Sequence, residues 1–174
     1  MSQSLTSFAD LLRSAERSAV HLEMRDSYGV ENENEAFARW REGHRLDRAN
    51  RASWWRPWLD LVQEVTGRGV SLRRARIFSE PVSEYIRFEH SGTFTNVVAG
   101  EQVRWLPRRQ ASDIALPGND FWLFDDRLVQ FNIFDGEGRW VHTDHSDKPE
   151  VAQLCASAFE TVWTRAIPHD AYSM

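Results

Sequence analysis

A single cysteine, Cys155, and a single lysine, Lys148, are among the scarcest residues of this 174-residue chain. One thiol makes no intramolecular disulfide, and Cys155 falls on the apolar face of a predicted helix, where a small hydrophobe belongs. A reducing compartment is therefore expected. The lone lysine leaves the positive charge almost entirely to guanidinium groups and removes every catalytic lysine but one. No stretch approaches the roughly twenty apolar residues that span a bilayer. The start MSQSLTSFADLLRSAERS has no basic segment followed by an apolar run and a cleavage site. Secretion and membrane insertion are disfavoured, and a cytoplasmic location is expected. G-x-S-x-G, Walker, G-x-G-x-x-G and H-E-x-x-H patterns are also absent, so a nucleophilic hydrolase has no support.

What is present argues for one folded unit. The 8 Trp and 10 Phe supply enough apolar area to offset much of the ordering entropy, which excludes disorder over the full length. A single domain over residues 1–174 is expected, because two would be cramped. The net charge of −5 disfavours a protein that grips phosphate backbones, so direct nucleic-acid binding is not expected.

Phe8, Leu11, Leu12 and Ala15 recur at helical spacing, predicting a helix over about 6–16. The segment 19–28 leans toward a strand. A second helix is read over 33–45 from Ala36, Phe37, Trp40 and His44, and a third from Trp58, Leu61, Val62 and Val65, beginning near Pro57 and closed by Gly67. At residue 69 the period changes: VSLRRARIF alternates as a strand does. A helix over 81–90, begun by Glu80-Pro81, and a short strand QVRWLP follow. FWLFDD, LVQFNIF and RWVHT are separated by Asp125-Asp126 and by the turn DGEG, which predicts a meander of three antiparallel strands. Val151, Leu154, Cys155, Ala158, Phe159, Val162, Trp163 and Ala166 form the stripe of a long closing helix. Asp147 and Glu150 stand at capping-box spacing, with Pro149 in the first turn. The expected fold class is α+β: N-terminal helices, 1–67, packed on a mostly antiparallel sheet whose β-α-β-β-β-β-α unit, 69–168, ends in the closing helix.

That unit resembles the half-domain of the phospholipase-D-like superfamily, and in particular its non-catalytic versions that serve as sensor domains in transcription regulators. The hairpin from Phe121 to Phe134, the turn DGEG and the spacing of Phe159, Trp163 and Ala166 carry the likeness. The whole chain, especially RRARIFSEPVSEYIRFE, VRWLPRR and LPGNDFWLFDDRLVQFNIFDGEGRW, also looks like a domain-of-unknown-function family of small actinobacterial proteins. Members are often encoded beside helix-turn-helix regulators, which implies a regulatory neighbourhood.

Catalysis of the phospholipase-D-like kind needs H-x-K, with a lysine to stabilise the transferring phosphoryl oxygens. Here His142-Thr143-Asp144 and His145-Ser146-Asp147 put a carboxylate where the cation belongs, so no catalytic residue is assigned. HTDHSD also holds two His and two carboxylates, but on a strand His142 and Asp144 share one face while His145 and Asp147 fall in the following turn. The polar end of a strand leading into an Asp147 helix cap accounts for it, and no metal or other cofactor is expected.

The remaining candidates are binding residues. Arg74 and Arg76 point to the face shared with Val70, Leu72 and Phe78, opposite Arg73. If buried they need carboxylates, which Glu80, Glu84 or Glu89 supply; otherwise they form an anion site. Arg87 and Glu89 on the next helix are further candidates, while Tyr85 and Ile86 belong to the core. Trp122, with Trp105 and Trp140, makes either an aromatic partner surface or the core beneath the closing helix. Both faces of the sheet read as apolar, so both need a cover: the closing helix on one, the N-terminal helices or a second copy on the other. The leading expectation is a non-enzymatic regulatory or binding protein acting with a helix-turn-helix regulator or a small effector, with a homodimer possible. The alternative is a degenerate enzyme, or a binder of a phosphate-bearing ligand, with Arg74, Arg76 and Arg104 as the anion clamp.

Overall fold

A computed structural model describes residues 7–29 and 31–174; residues 1–6 of the expected N-terminal part lie outside it. Ser7 opens the first helix, α1 (Phe8–Ser14). Its hydroxyl accepts the Asp10 amide and the Asp10 carboxylate reaches back to the Ser7 amide, a reciprocal cap that satisfies two donors at the helix start. The chain then enters β1 (Ser18–Glu23), passes through α2 (Glu31–Arg41) and α3 (Pro57–Gly67), and continues as β2 (Ser71–Phe78), α4 (Glu84–Ala99) and β3 (Gln102–Pro107). The meander β4 (Phe121–Phe124), β5 (Leu128–Phe134) and β6 (Trp140–Ser146) leads into α5 (Pro149–Arg165) and a two-residue strand, β7 (Ile167–Pro168).

The seven strands of the described residues form one sheet in the order β6-β5-β4-β1-β2-β3-β7. The pairs β1–β2 and β2–β3 are parallel and the other four antiparallel. The class is α+β as expected, and β2 to α5 run in the order β-α-β-β-β-β-α. Part of the N-terminal segment is not helical: β1 lies in the middle of the sheet between β4 and β2. Parallel neighbours need long crossovers, and α2 with α3, then α4, supply them.

The strand period of two divides the sheet's side chains cleanly. Val20, Leu22, Ala75, Ile77, Leu106, Phe121, Leu123 and Val129 meet Cys155, Phe159, Val162 and Trp163 of α5 on one face. Ala19, Leu72, Trp122 and Phe124 meet Leu12 of α1, Leu59, Val62 and Val65 of α3 and Phe94 of α4 on the other. The cover over the second face is thus the chain's own helices. Each fully buried Leu or Phe stabilises by roughly 1.5–3 kcal/mol relative to exposure, so these two layers supply most of the drive to fold.

Several predicted boundaries move. The second helix ends at Arg41, not at residue 45, because Gly43 adopts φ +96 and breaks the ladder. The fourth begins at Glu84, after Pro81: the Ser83 hydroxyl accepts the Ile86 amide and sets the start. It stops at Gly100, φ +114, where a Cβ would lie 2.5 Å from the Thr66 hydroxyl, so only glycine fits. Asp147 does not cap α5. Pro149 is its first residue, and Lys148 before it is held extended, as a residue preceding proline is. Leu154 falls off the buried stripe and is 46% exposed. His145 belongs to β6 and pairs with Gln130, instead of lying in the following turn.

The turn between β4 and β5 ties the chain ends of three strands together. Asp125 and Asp126 sit at φ +50 and +57, a left-handed conformation that aspartate tolerates. The Asp125 carboxylate accepts the amides of Glu16, Arg17 and Ser18 at 2.7–2.9 Å, fixing where β1 begins. Burial opposes its charge, but these three donors outweigh it and hold the carboxyl below the usual range. Asp125→Ala is expected to cost about 3 kcal/mol, and Asp125→Asn, which keeps one acceptor oxygen, about half as much. Urea unfolding of the two variants against the parent measures both.

Candidate functional site

The face covered by the N-terminal helices is not wholly apolar. Parallel pairing sets His21 beside Arg74 and Glu23 beside Arg76, so two alternate positions of β1 and two of β2 make a polar square in the sheet. The Arg74 guanidinium donates from Nε to Glu101 Oε1 at 2.6 Å and from Nη1 to Glu23 Oε1 at 3.1 Å. Arg76 Nη1 lies 3.0 Å from Glu23 Oε2 and 2.6 Å from Glu89 Oε2. Asn96 of α4 donates to the second oxygen of Glu101 at 2.6 Å. Both arginines and Glu101 are buried, and the Arg74 guanidinium lies 5.7 Å over the Trp122 ring.

Burial alone would raise the Glu23 carboxyl, but Arg76 and Arg74 outweigh it and bring it down to about 2. Burial pushes the His21 imidazole down to about 3, so it is neutral across the physiological range. Its ring stacks on Trp122 at 4.2 Å, and both of its nitrogens, like Nε of Arg76, are buried without a hydrogen-bond partner. A second buried acid lies beyond the end of β1. Asp120 accepts the Met24 amide at 2.9 Å and the Tyr28 hydroxyl, and burial raises its carboxyl to about 6.

The predicted site residues separate into those the fold brings together and those it does not. Arg74, Arg76, Glu89 and Trp122 meet in this layer. Arg87 of α4 is exposed and stands outside it. Arg104 is on the opposite face: its register partner in β2 is Ala75, and it donates to the Trp163 carbonyl and lies 4.4 Å over the Trp163 ring of α5. A clamp of Arg74, Arg76 and Arg104 is therefore ruled out by strand alternation. Of the three carboxylates expected to pair the arginines, only Glu89 does; Glu80 pairs Arg109 and Glu84 pairs Arg41 at the surface. Trp105 and Trp122 are buried, so they share no surface with the exposed Trp140.

Sequence reasoning missed His21, Glu23 and Glu101. A signal was there for the first two: in SAVHLE they occupy alternate positions of a strand, the same spacing as Arg74 and Arg76. Glu101 directly follows the helix-ending Gly100, and its role needs the tertiary contact.

Chemically, the layer places two permanent cations against three carboxylates, and each guanidinium is held from two sides. Among the described residues no group of three or more His, Cys, Asp or Glu is placed to hold a metal ion; His142 and Asp144 make an exposed pair at 3.2 Å on β6. Among the described residues no helix is long and apolar enough to cross a membrane. An open groove of about 960 Å³ lies elsewhere, between the end of α1, the β4–β5 turn and the first half of α5, with Ser14, Asp126, Arg127, Gln153 and Ser157 among its lining.

A family model described as a domain of unknown function, DUF6879, matches residues 6–174, and the chain belongs to that family. No curated protein matches it. Among solved structures it is similar to Nuc, a phospholipase D family member from Salmonella typhimurium, at 10% identity and a TM-score of 0.49, over 92% of this chain and 86% of that one. It is also similar to TrmBL2, an archaeal chromatin protein, at 14% identity and a TM-score of 0.49, over 91% of this chain and 48% of that one.

Two pH effects of opposite sign follow. A carboxyl lowered in the fold contributes stability above its unfolded value and loses it on acidification. Glu23→Gln is thus expected to cost about 3–5 kcal/mol at pH 7, with the gap to the parent narrowing as pH falls from 4.5 toward 2. A carboxyl raised in the fold acts the other way. Protonation of Asp120 between about pH 6 and 4 stabilises the fold by about 3 kcal/mol, and Asp120→Asn is expected to lack that gain. Unfolding curves collected from pH 3 to 8 separate the two.

Proposed function

We propose that this member of DUF6879 is a non-enzymatic regulatory protein that acts by contact with a partner, namely a helix-turn-helix transcription regulator or a small effector that modulates one. The observation that carries the reading is the pairing of Arg74 and Arg76. Their charge is matched inside the fold by Glu23, Glu89 and Glu101, so an anionic substrate has to displace three carboxylates to reach them. The histidine beside them is neutral and stacked on Trp122, which suits packing and not proton transfer at physiological pH. The two histidines that come nearest to H-x-K lie on β6, each with an aspartate two residues on. The regulatory half of the reading rests on the resemblance to proteins encoded beside helix-turn-helix regulators.

The test is affinity purification of the tagged protein from its native host at moderate salt, followed by reconstitution of any recovered helix-turn-helix regulator from purified components. A stoichiometric complex supports the proposal. Turnover of a bis-aryl phosphodiester by the purified protein, abolished by Arg74→Met, overturns it in favour of a phosphate-directed enzyme.

A further inference from the structure

β6 is the outermost strand on its side of the sheet, so one row of its backbone amides and carbonyls faces no strand among the described residues. Edge strands that stay solitary are commonly blunted by charged side chains, above all lysine, by proline, by bulges or by a covering segment. Trp140–Ser146 contains no lysine or proline, carries Asp144 and has its bulge at one end, at Val141; Trp140, Val141, His142, Asp144 and His145 are all exposed. Among the described residues an isolated bridge, Gly29 to Arg139, lies just before the strand begins.

The polar side chains on this edge are self-complementary about Thr143. His142 and Asp144 flank it on one face, with Nε2 and Oδ1 3.2 Å apart. When a second copy lies antiparallel with Thr143 on the two-fold axis, each His142 stands opposite the other copy's Asp144, and Thr143 meets Thr143. An imidazole facing a carboxylate and a Thr–Thr pair are both favourable across strands, and two carboxylates directly opposite are unfavourable. Moving the axis by one residue loses this match, because it sets His142 against His142 or Asp144 against Asp144. A bulge between Ile133 and Phe134, at Val141, ends the regular ladder on one side and keeps the contact short.

We propose that β6 pairs with β6 of a second copy of this chain, antiparallel and centred on Thr143, joining two seven-stranded sheets into one. This contact is independent of the regulatory reading, since it concerns the copy and not the regulator.

A cross-link tests the register. Residues directly opposite in an antiparallel pair have Cα atoms roughly 4.5–5.5 Å apart, within the range a disulfide spans. Thr143→Cys is expected to give a covalent dimer rapidly under mild oxidation, whereas His142→Cys, opposite Asp144, gives little. The native thiol at Cys155 is 0% exposed and stays silent. Sedimentation of the uncross-linked protein across concentration gives the second readout. His142→Asp sets two carboxylate pairs in opposition and is expected to weaken the dimer about tenfold; His142→Asp with Asp144→His restores it. His142 and Asp144 are exposed and Thr143 is half-buried on an edge strand, so the variants keep the fold. A parent protein that stays monomeric at every concentration, equal cross-linking at 142 and 143, or a dimer indifferent to the charge swap overturns the proposal.

Discussion

Two guanidinium groups that stay charged at any physiological pH lie beneath the helices, and the surrounding structure is arranged around neutralising them. Arg74 and Arg76 draw one carboxylate from the neighbouring strand, one from α4 and one from the second residue after α4. An isolated charge at that depth costs several kcal/mol, so the parallel register of β1 on β2, the placement of α4 and the stop at Gly100 are all coupled to this layer. A one-residue slip of β1 turns Glu23 to the α5 face and leaves each arginine with one carboxylate in place of two. The polar square therefore specifies the register that the apolar residues alone leave less sharply defined.

The same arrangement bears on chemistry. An arginine fork that recognises a phosphate must present its donors to solvent or to a pocket. Here the donors are turned inward, and the open groove lies elsewhere, between the end of α1, the β4–β5 turn and the first half of α5. The ions act as a packing device with directional bonds, in a layer whose aromatic walls, Trp58, Trp105 and Trp122, also face the guanidinium groups. Surfaces remain for contact with other molecules, and the outer edge of β6 is one of them.

Much of this was legible in the chain. The meander of β4, β5 and β6, the closing helix and the opposite facing of Arg73 against Arg74 and Arg76 follow from period and turn chemistry, which are local. The centrality of β1 was not legible, because its parallel partner is some fifty positions away, as Ser18 opposite Ser71 illustrates, and nothing local encodes which neighbour a strand takes. The boundaries that shifted did so through single residues: Gly43, Ser83 and Pro149 override the apolar pattern at helix ends.

The sequence by itself determined the class of fold, the order of its main elements from β2 to α5 and the need of Arg74 and Arg76 for carboxylates, since all three rest on side-chain period and charge. Tertiary structure decided which carboxylates those are, that Arg104 faces α5 and that β6 stands bare. These depend on register and strand order, which are set only when distant segments meet and the cost of an unpaired buried charge is compared among the alternatives.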